Sequence, residues 1–448
     1  MPRGTKIVAT IGPASTDFDI LVKMIRAGVD VVRLNFSHGK ADDHRKRAAD
    51  ARAAAAELGR EVAILGDLQG PKIRVEKFAD GAVHLDVGAA FTLDCRANAA
   101  PGDKHRVGVG YLGLWRDIKA GDRLVLDDGM IVMDVESIAD EQVHCRVVLG
   151  GRLSDRKGIN RQGGGLTVDA LSDKDRRDIA LAAELGVEFL AVSFVKNAAD
   201  VERARSLLRE AGGDAAIVAK IERAEAIVTL GEIIDASDVV MVARGDLGVE
   251  IGDAELPGLQ KKIIRESLER SRVVITATQM MQSMVESPIP TRAEVLDVAN
   301  AVIDGTDAVM LSQETASGKH PEKAVAAMRR VCLGAERQFE PPIDMGPSTR
   351  VLDRTDQAIA LASMFLAGRV GVRAIVALTE SGATARWLSR HRSSVPIYAL
   401  SRNAAARRRM LLFRDVYPIE FDPHDVGPMQ AAREAIQHLF SLGHLAED

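Results

Sequence analysis

Short apolar runs recur along the chain, each followed by a stretch whose apolar positions return every three to four residues. The runs are KIVATIG from Lys6, VDVVRLNFS from Val29, VAILGDLQ from Val62, FLAVSFV from Phe189, AIVAKIE from Ala216, VVMVARGD from Val239, VVITATQ from Val273 and AVMLSQE from Ala308. Amphipathic helical segments separate them, at 17–27, 44–58, 172–185, 198–211, 256–270 and 293–304, several closed by glycine. Ser172 with Asp175 three residues on has the spacing of an N-cap pair. Eight strands alternating with helices predict an α/β chain built on a (β/α)8 TIM barrel.

The alternation stops after Gln69 and resumes at Ser172. Between them lie strand-and-turn runs, RLVLDDGMIVMDV from Arg123 and QVHCRVVLGG from Gln142, which predict a small inserted β-barrel domain. Beyond Pro341-Pro342 a helix at 355–367 and strands at 374–379, 397–400 and 416–419 predict a small α/β domain on a parallel sheet. The partition is then 1–69 with 166–340 for the barrel, 70–165 for the insertion and 341–448 for the third unit.

Several strands end in polar residues. Side chains two apart in an extended chain share a face, so Lys220 and Glu222 point one way, and Arg244 and Asp246 are expected to do the same. The second strand finishes Arg33, Asn35, Ser37, the third Asp67 and Gln69, the seventh Thr276 and Thr278, the eighth Ser312 and Glu314. Buried charge is costly unless paired or coordinated. The two acid-bearing strand ends therefore mark either a cation site holding an anionic substrate or a structural salt bridge among Lys220, Glu222, Arg244 and Asp246. Barrel enzymes place their chemistry at the C-terminal strand ends, and six polar ends together favour the site.

Composition narrows the setting. The chain has 448 residues, 46% hydrophobic and 27% charged, with a net charge of −5, which gives no electrostatic case for nucleic acid. The run Arg407, Arg408, Arg409 is expected to be a solvated helix face. No apolar run reaches the roughly 18 residues of a membrane span, and the N-terminus enters a strand without a signal peptide, so a cytoplasmic location is expected. Cys95, Cys145 and Cys332 are too few and too far apart for a disulfide framework and read as packing residues. GVGYLG at 108–113 fits a dinucleotide fingerprint but follows no parallel strand. QETASGKH at 313–320 approaches a phosphate-binding loop, with Gln313 and His320 at its key positions.

The motifs TKIVATIGPAS from Thr5, RLNFSHG from Arg33, GDLQGPKIR from Gly66, KGIN from Lys157, AKIE from Ala219, ARGDLGVE from Ala243, TATQMMQSM from Thr276, SPIPTRAEVLDVANAV from Ser287 and DAVMLSQETASGKHP from Asp307 resemble pyruvate kinase, in family order over most of the chain. The resemblance implies phosphoryl transfer from phosphoenolpyruvate to ADP, giving pyruvate and ATP, with the insertion closing as a lid. It implies magnesium, or manganese in its place, on Glu222 and Asp246, with Lys220 stabilising the moving phosphoryl group and the enolate oxygen. Arg33 would grip phosphate, the backbone at Gly245 and Asp246 the substrate carboxylate, and Thr278 would orient substrate where a water delivers the proton. Asn35, His38, Arg74 and Lys157 match the nucleotide contacts, and a homotetramer is implied.

Departures from the pattern carry information. Many members need potassium, at positions matching Asn35, Ser37, Asp67 and the Leu68 carbonyl, and have Glu where this chain has Lys72. Leu68, Gln69 and Lys72 resemble the potassium-independent branch, so potassium is not expected to be required. Gln282 and Gln313 also depart, without touching an expected ligand. Thr379, Ser381, Gly382 and Thr384 resemble an effector-phosphate loop whose second wall is expected to be missing, because members usually continue through two more strands. The competing readings are a magnesium-dependent oxyacid lyase or aldolase on a related barrel, and an inactive regulatory paralogue.

Overall fold

A computed structural model describes residues 2–338, 352, 354–391, 393, 395–423 and 426–445. Eight parallel strands close a barrel: Lys6–Thr10, Val31–Asn35, Ala63–Asp67, Phe189–Val192, Ala216–Ile221, Val239–Ala243, Val273–Ala277 and Ala308–Leu311. Lys6 pairs with Ala308, so the first strand meets the last and no edge is left free. Val31, Val32, Val239, Val240, Val273 and Val274 are buried on both faces of the sheet, the environment that suits β-branched side chains. Alternate residues divide between two cores. Ile7, Val32, Ile64 and Val240 pack outward against helices, whereas Val8, Val31, Leu65, Val218, Met241 and Ile275 fill the interior.

Ser172 caps the helix Asp173–Leu185 as its spacing predicts, with Ser172 Oγ accepting from Asp175 N and Asp175 Oδ2 accepting from Ser172 N at 2.9 Å. Such a cap contributes about 1 kcal/mol. The same carboxylate does more, because Asp175 Oδ1 accepts from Gly70 N at 3.0 Å and fixes the point where the chain leaves the barrel. Gly70 sits at φ +65°, and a Cβ there would lie 2.8 Å from the Phe194 ring and from Ser193 Cβ. Only glycine fits.

The excursion forms a six-stranded sheet in the order Ile159–Arg161, Arg123–Leu126, Ile131–Ala139, Gln142–Leu149, Ala90–Asp94 and Arg106–Gly108, with a ribbon of Ala82–Leu85 and Gly151–Ser154. The sequence run from Arg123 splits into two of these strands at a turn whose Asp127 and Asp128 have φ of 52° and 53°. Phe91, Leu93, Leu126, Met133, Val143 and Cys145 give this unit its own core. This core is distinct from the two cores of the barrel.

Among the described residues the third unit carries three parallel strands, Ile375–Leu378, Ile397–Ser401 and Val416–Glu420, and four helices that include Ala404–Met410. The expected boundary at Pro341-Pro342 lies outside the described residues. This unit packs on the end of the barrel where strands begin, and Met410, Leu412 and Phe413 extend the interior core downward. Arg407, Arg408 and Arg409 correct the sequence expectation of a solvated face. They pair with Glu61, Glu188 and Asp214 at 3.0, 2.5 and 2.8 Å, each acid lying just before a barrel strand. The opposite end, where the strands finish, is left for the inserted unit. Among the described residues no helix is long and apolar enough to cross a membrane.

Candidate active site

A cavity of about 180 Å³ opens at the C-terminal ends of the strands. It is lined by Arg33, Asn35, Ser37 and His38 from the second strand and its loop, Asp67, Leu68, Gln69, Lys72 and Arg74 from the third strand and hinge, Ser193 and Phe194, Lys220 with Glu222, and Asp246.

Lys220 is its centre. Only 8% exposed, it lies 2.9 Å from Glu222 Oε1 and 3.2 Å from Asp67 Oδ1, and donates to Ser193 Oγ at 2.7 Å. Ser193 in turn donates to the Leu68 carbonyl at 2.8 Å. Burial works against the ammonium, but Asp67 and Glu222 outweigh it and hold the Lys220 pKa above the usual lysine value. Burial pushes the Glu222 carboxyl up, with Lys220 pulling the other way. Asp67 shifts downward, since Lys220 and Arg33 overcome its burial. The carboxylate of Glu222 is aimed by a backbone donor, Phe194 N to Oε2 at 2.8 Å, and Phe194 holds φ 58° to present it.

Arg33 donates from Nε to Asp67 Oδ2 at 2.6 Å and from Nη1 to Thr10 Oγ1 at 2.9 Å. Those bonds lock the guanidinium while leaving Nη2 for an anion. Lys72 donates to Asp246 Oδ1 at 2.8 Å and lies 3.6 Å from Asp128 of the lid. Burial opposes its charge, yet Asp246 and Asp128 raise its pKa.

Two sequence readings need correction. The sixth strand ends at Ala243, and Arg244–Ile251 is a helix, so Arg244 and Asp246 do not share a strand face. Arg244 turns away to Asp297 at 2.7 Å, and the four-residue salt bridge is not formed. Thr276 and Glu314 are also elsewhere: Thr276 bonds Thr306, and Glu314 accepts from Met281 N and Ser312 N. Ser193 and the Phe194 backbone were missed; Ser193 stands one residue past the fourth strand, where the other strand ends carry their polar groups.

Thr278 and Gly245 stand beside the cavity, outside its lining, and engage each other. Gly245 N donates to Thr278 Oγ1 at 2.8 Å, and that hydroxyl donates to the Ala277 carbonyl at 2.6 Å. Thr278 has φ 69°, a strained value for a β-branched residue and one that clusters at functional sites. Lys157 is on the lid, 2.7 Å from Asp127 and not in the cavity lining. The loop at Thr379 lies in the third unit, where Thr379 Oγ1 accepts from Gly382 N at 3.0 Å and Ser381 Oγ from Ala383 N at 3.4 Å; Thr384 follows in the helix Ala383–Ser389.

The donor set suits a hard divalent cation. Magnesium is commonly held by one or two carboxylates, with water and substrate phosphate completing its shell. Glu222 and Asp246 supply two, and among the described residues no cluster of three His, Cys, Asp or Glu side chains forms a fuller protein cage.

Comparison with known proteins gives the family. Residues 2–325 match the family described as "Pyruvate kinase, barrel domain" and residues 357–448 "Pyruvate kinase, alpha/beta domain". The chain is 52% identical over 447 residues to "Pyruvate kinase II" of Salmonella typhimurium, covering 99% of this chain and 93% of that one. It is 50% identical over 448 residues to a "Pyruvate kinase" of Haemophilus influenzae, covering 99% and 94%. A crystal structure of a pyruvate kinase from Cryptosporidium parvum superposes with a TM-score of 0.94 at 33% identity, covering 99% of this chain and 92% of that one. The chain belongs to the pyruvate kinase family.

Proposed function

We propose that this cavity moves the phosphoryl group of phosphoenolpyruvate to ADP, giving ATP and the enolate of pyruvate, which is then protonated. The observation that carries the reading is the Lys220 ammonium, held among Asp67, Glu222 and Ser193 in the same cavity as Arg33 and Asp246. Phosphoryl transfer asks little covalent chemistry of a protein and much positioning and charge neutralisation.

Arg33, already fixed by Asp67 and Thr10, grips the phosphate. Lys220 stabilises the migrating group and the developing enolate oxygen. Thr278 and Gly245 act as a pair, the Gly245 N–H turning to the substrate carboxylate while Thr278 orients the face that a water protonates. Asn35, His38 and Arg74 contact the nucleotide, and Lys157 joins them as the lid descends and water is excluded. Bound magnesium, or manganese, on Glu222 and Asp246 supplies neutralisation of phosphate oxygens.

Potassium is not needed in this scheme. Asn35 Oδ1 already accepts from Ser37 N at 3.0 Å, the Leu68 carbonyl is taken by Ser193, and the Lys72 ammonium supplies a fixed positive charge beside Asp246. The glycolytic role argues for a cytoplasmic enzyme. A homotetramer is consistent with exposed Ile359, Leu366 and Val370 on the helix Thr355–Val370, and light scattering reads its mass. At the loop of Thr379, Ser381, Gly382 and Thr384, hydroxyls already serve backbone donors, which favours a plain turn over an effector site.

The test is stoichiometry. Purified protein with phosphoenolpyruvate, ADP and magnesium should release one ATP per pyruvate; pyruvate with free phosphate and no ATP would point to hydrolysis, and cleavage of an oxyacid without ADP to a lyase.

A further inference from the structure

The helix Arg244–Ile251 has a second task at its far end. Glu250 lies one turn beyond Asp246, on the same helix face by the i to i+4 spacing, and is only 3% exposed. Its contacts reach three segments. Oε2 accepts from Ala224 N at 2.9 Å, in the turn that follows Glu222. Oε1 accepts from Asn160 Nδ2 at 3.5 Å, and the backbone carbonyl accepts from Gly163 N at 2.9 Å. Asn160 belongs to the lid strand Ile159–Arg161 and is itself 6% exposed, so these bonds span the joint where the lid returns to the barrel.

We propose that Glu250 is a positioning residue that ties the seating of the lid to the placement of Glu222 and Asp246, an inference that rests on the phosphoryl-transfer reading above. A displacement of the lid strand acts on Glu250 through Asn160 and Gly163. From there it passes along one helical turn to Asp246 and through Ala224 to the Glu222 turn.

Two observations support a working joint over an ordinary buried acid. A small cleft of about 20 Å³, room for one water, is lined by Lys72, Asn160, Phe194, Arg223 and Glu250, against about 180 Å³ for the larger cavity. Lys72 lines both this cleft and the larger cavity. The charges around the joint are paired with groups other than Glu250. Arg223 is spent on the Leu166 carbonyl and on Glu225, while Asp127 and Asp128 belong to the lid turn packed against this helix. Burial pushes the Glu250 carboxyl up to about 7, against the Ala224 N–H and Arg223.

The test uses the full chain with Glu250→Ala, Glu250→Gln and Asn160→Ala. Steady-state kinetics with phosphoenolpyruvate, ADP and magnesium chloride are combined with hydrogen exchange of 157–166, with and without ADP and magnesium but without phosphoenolpyruvate. Glu250→Ala should raise the ADP KM and the magnesium half-saturation at least tenfold and abolish the slowing of exchange by ADP and magnesium. Glu250→Gln, which keeps the shape and the bond from Ala224 N, and the second bond once the Asn160 amide turns over, should recover most of both. Asn160→Ala, cut from the lid side, should raise the ADP KM severalfold, and it serves if Glu250→Ala fails to fold. Wild-type KM values and wild-type exchange protection in the alanine variants, whatever their Tm, would overturn the proposal. Exchange protection without any turnover in the wild type would instead strike the phosphoryl-transfer reading.

Discussion

The Lys72 ammonium donates to Asp246 Oδ1 at 2.8 Å, joining the first residues of the lid hinge to the helix that opens at the sixth strand. In the proposed scheme this lysine supplies a fixed positive charge beside Asp246 without a bound monovalent ion. Lys72→Glu would set a second acid beside Asp246 and Asp128. We expect its activity in potassium-free buffer to fall at least about tenfold, some 1.4 kcal/mol of transition-state stabilisation, and to recover with potassium chloride. Wild-type activity should not need potassium. A wild type that itself loses more than tenfold without potassium would refute this role of Lys72.

Glu250 gives the stability curve a particular shape. Its folded pKa of about 7 lies above the ordinary glutamate value of 4.5, so folding favours the protonated carboxyl. That contribution is complete below the ordinary value and is lost as pH rises towards 7, about 3 kcal/mol in all. Glu250→Gln cannot ionise. It should match wild type in Tm near pH 5 and exceed it by a few degrees near pH 8; an equal offset at both pH values would contradict the assignment.

Arg408 clamps the third unit to the barrel through Glu188, which is 3% exposed and also accepts from Ile64 N at 2.7 Å. Among the described residues, Arg408→Ala leaves the buried carboxylate with the Ile64 N–H and with Arg52, 3.6 Å away, as its partners. We expect a loss of about 1 to 3 kcal/mol, read as a lower Tm, with KM for both substrates unchanged because the clamp is at the far end of the barrel. A change in KM without loss of stability would argue instead for communication between the two ends.

The alternation of strands and helices, the insertion and most strand ends were legible because buried parallel strands leave uninterrupted apolar runs. Lys220 and Glu222 were legible as a pair because both lie on or beside an extended strand, where spacing fixes direction. Arg244 and Asp246 were not, since the chain turns helical at Arg244 without a capping residue to announce it. The aim of Glu222 depends on a backbone N–H at Phe194, and no side-chain pattern encodes that. The arginine clamp was hidden for another reason: its acids, Glu61, Glu188 and Asp214, are brought together by the side-by-side pairing of the third, fourth and fifth strands across the long insertion.

Lys220→Met tests the central claim most directly. The substitution keeps a similar side-chain length and removes the one ammonium shared by Asp67 and Glu222. With phosphoenolpyruvate, ADP and magnesium, wild type should make pyruvate and ATP together, and the variant should lose at least about a thousandfold in kcat while its KM values stay within a few fold. A folded Lys220→Met enzyme with near wild-type kcat, or a wild type that makes no ATP under these conditions, would contradict the account.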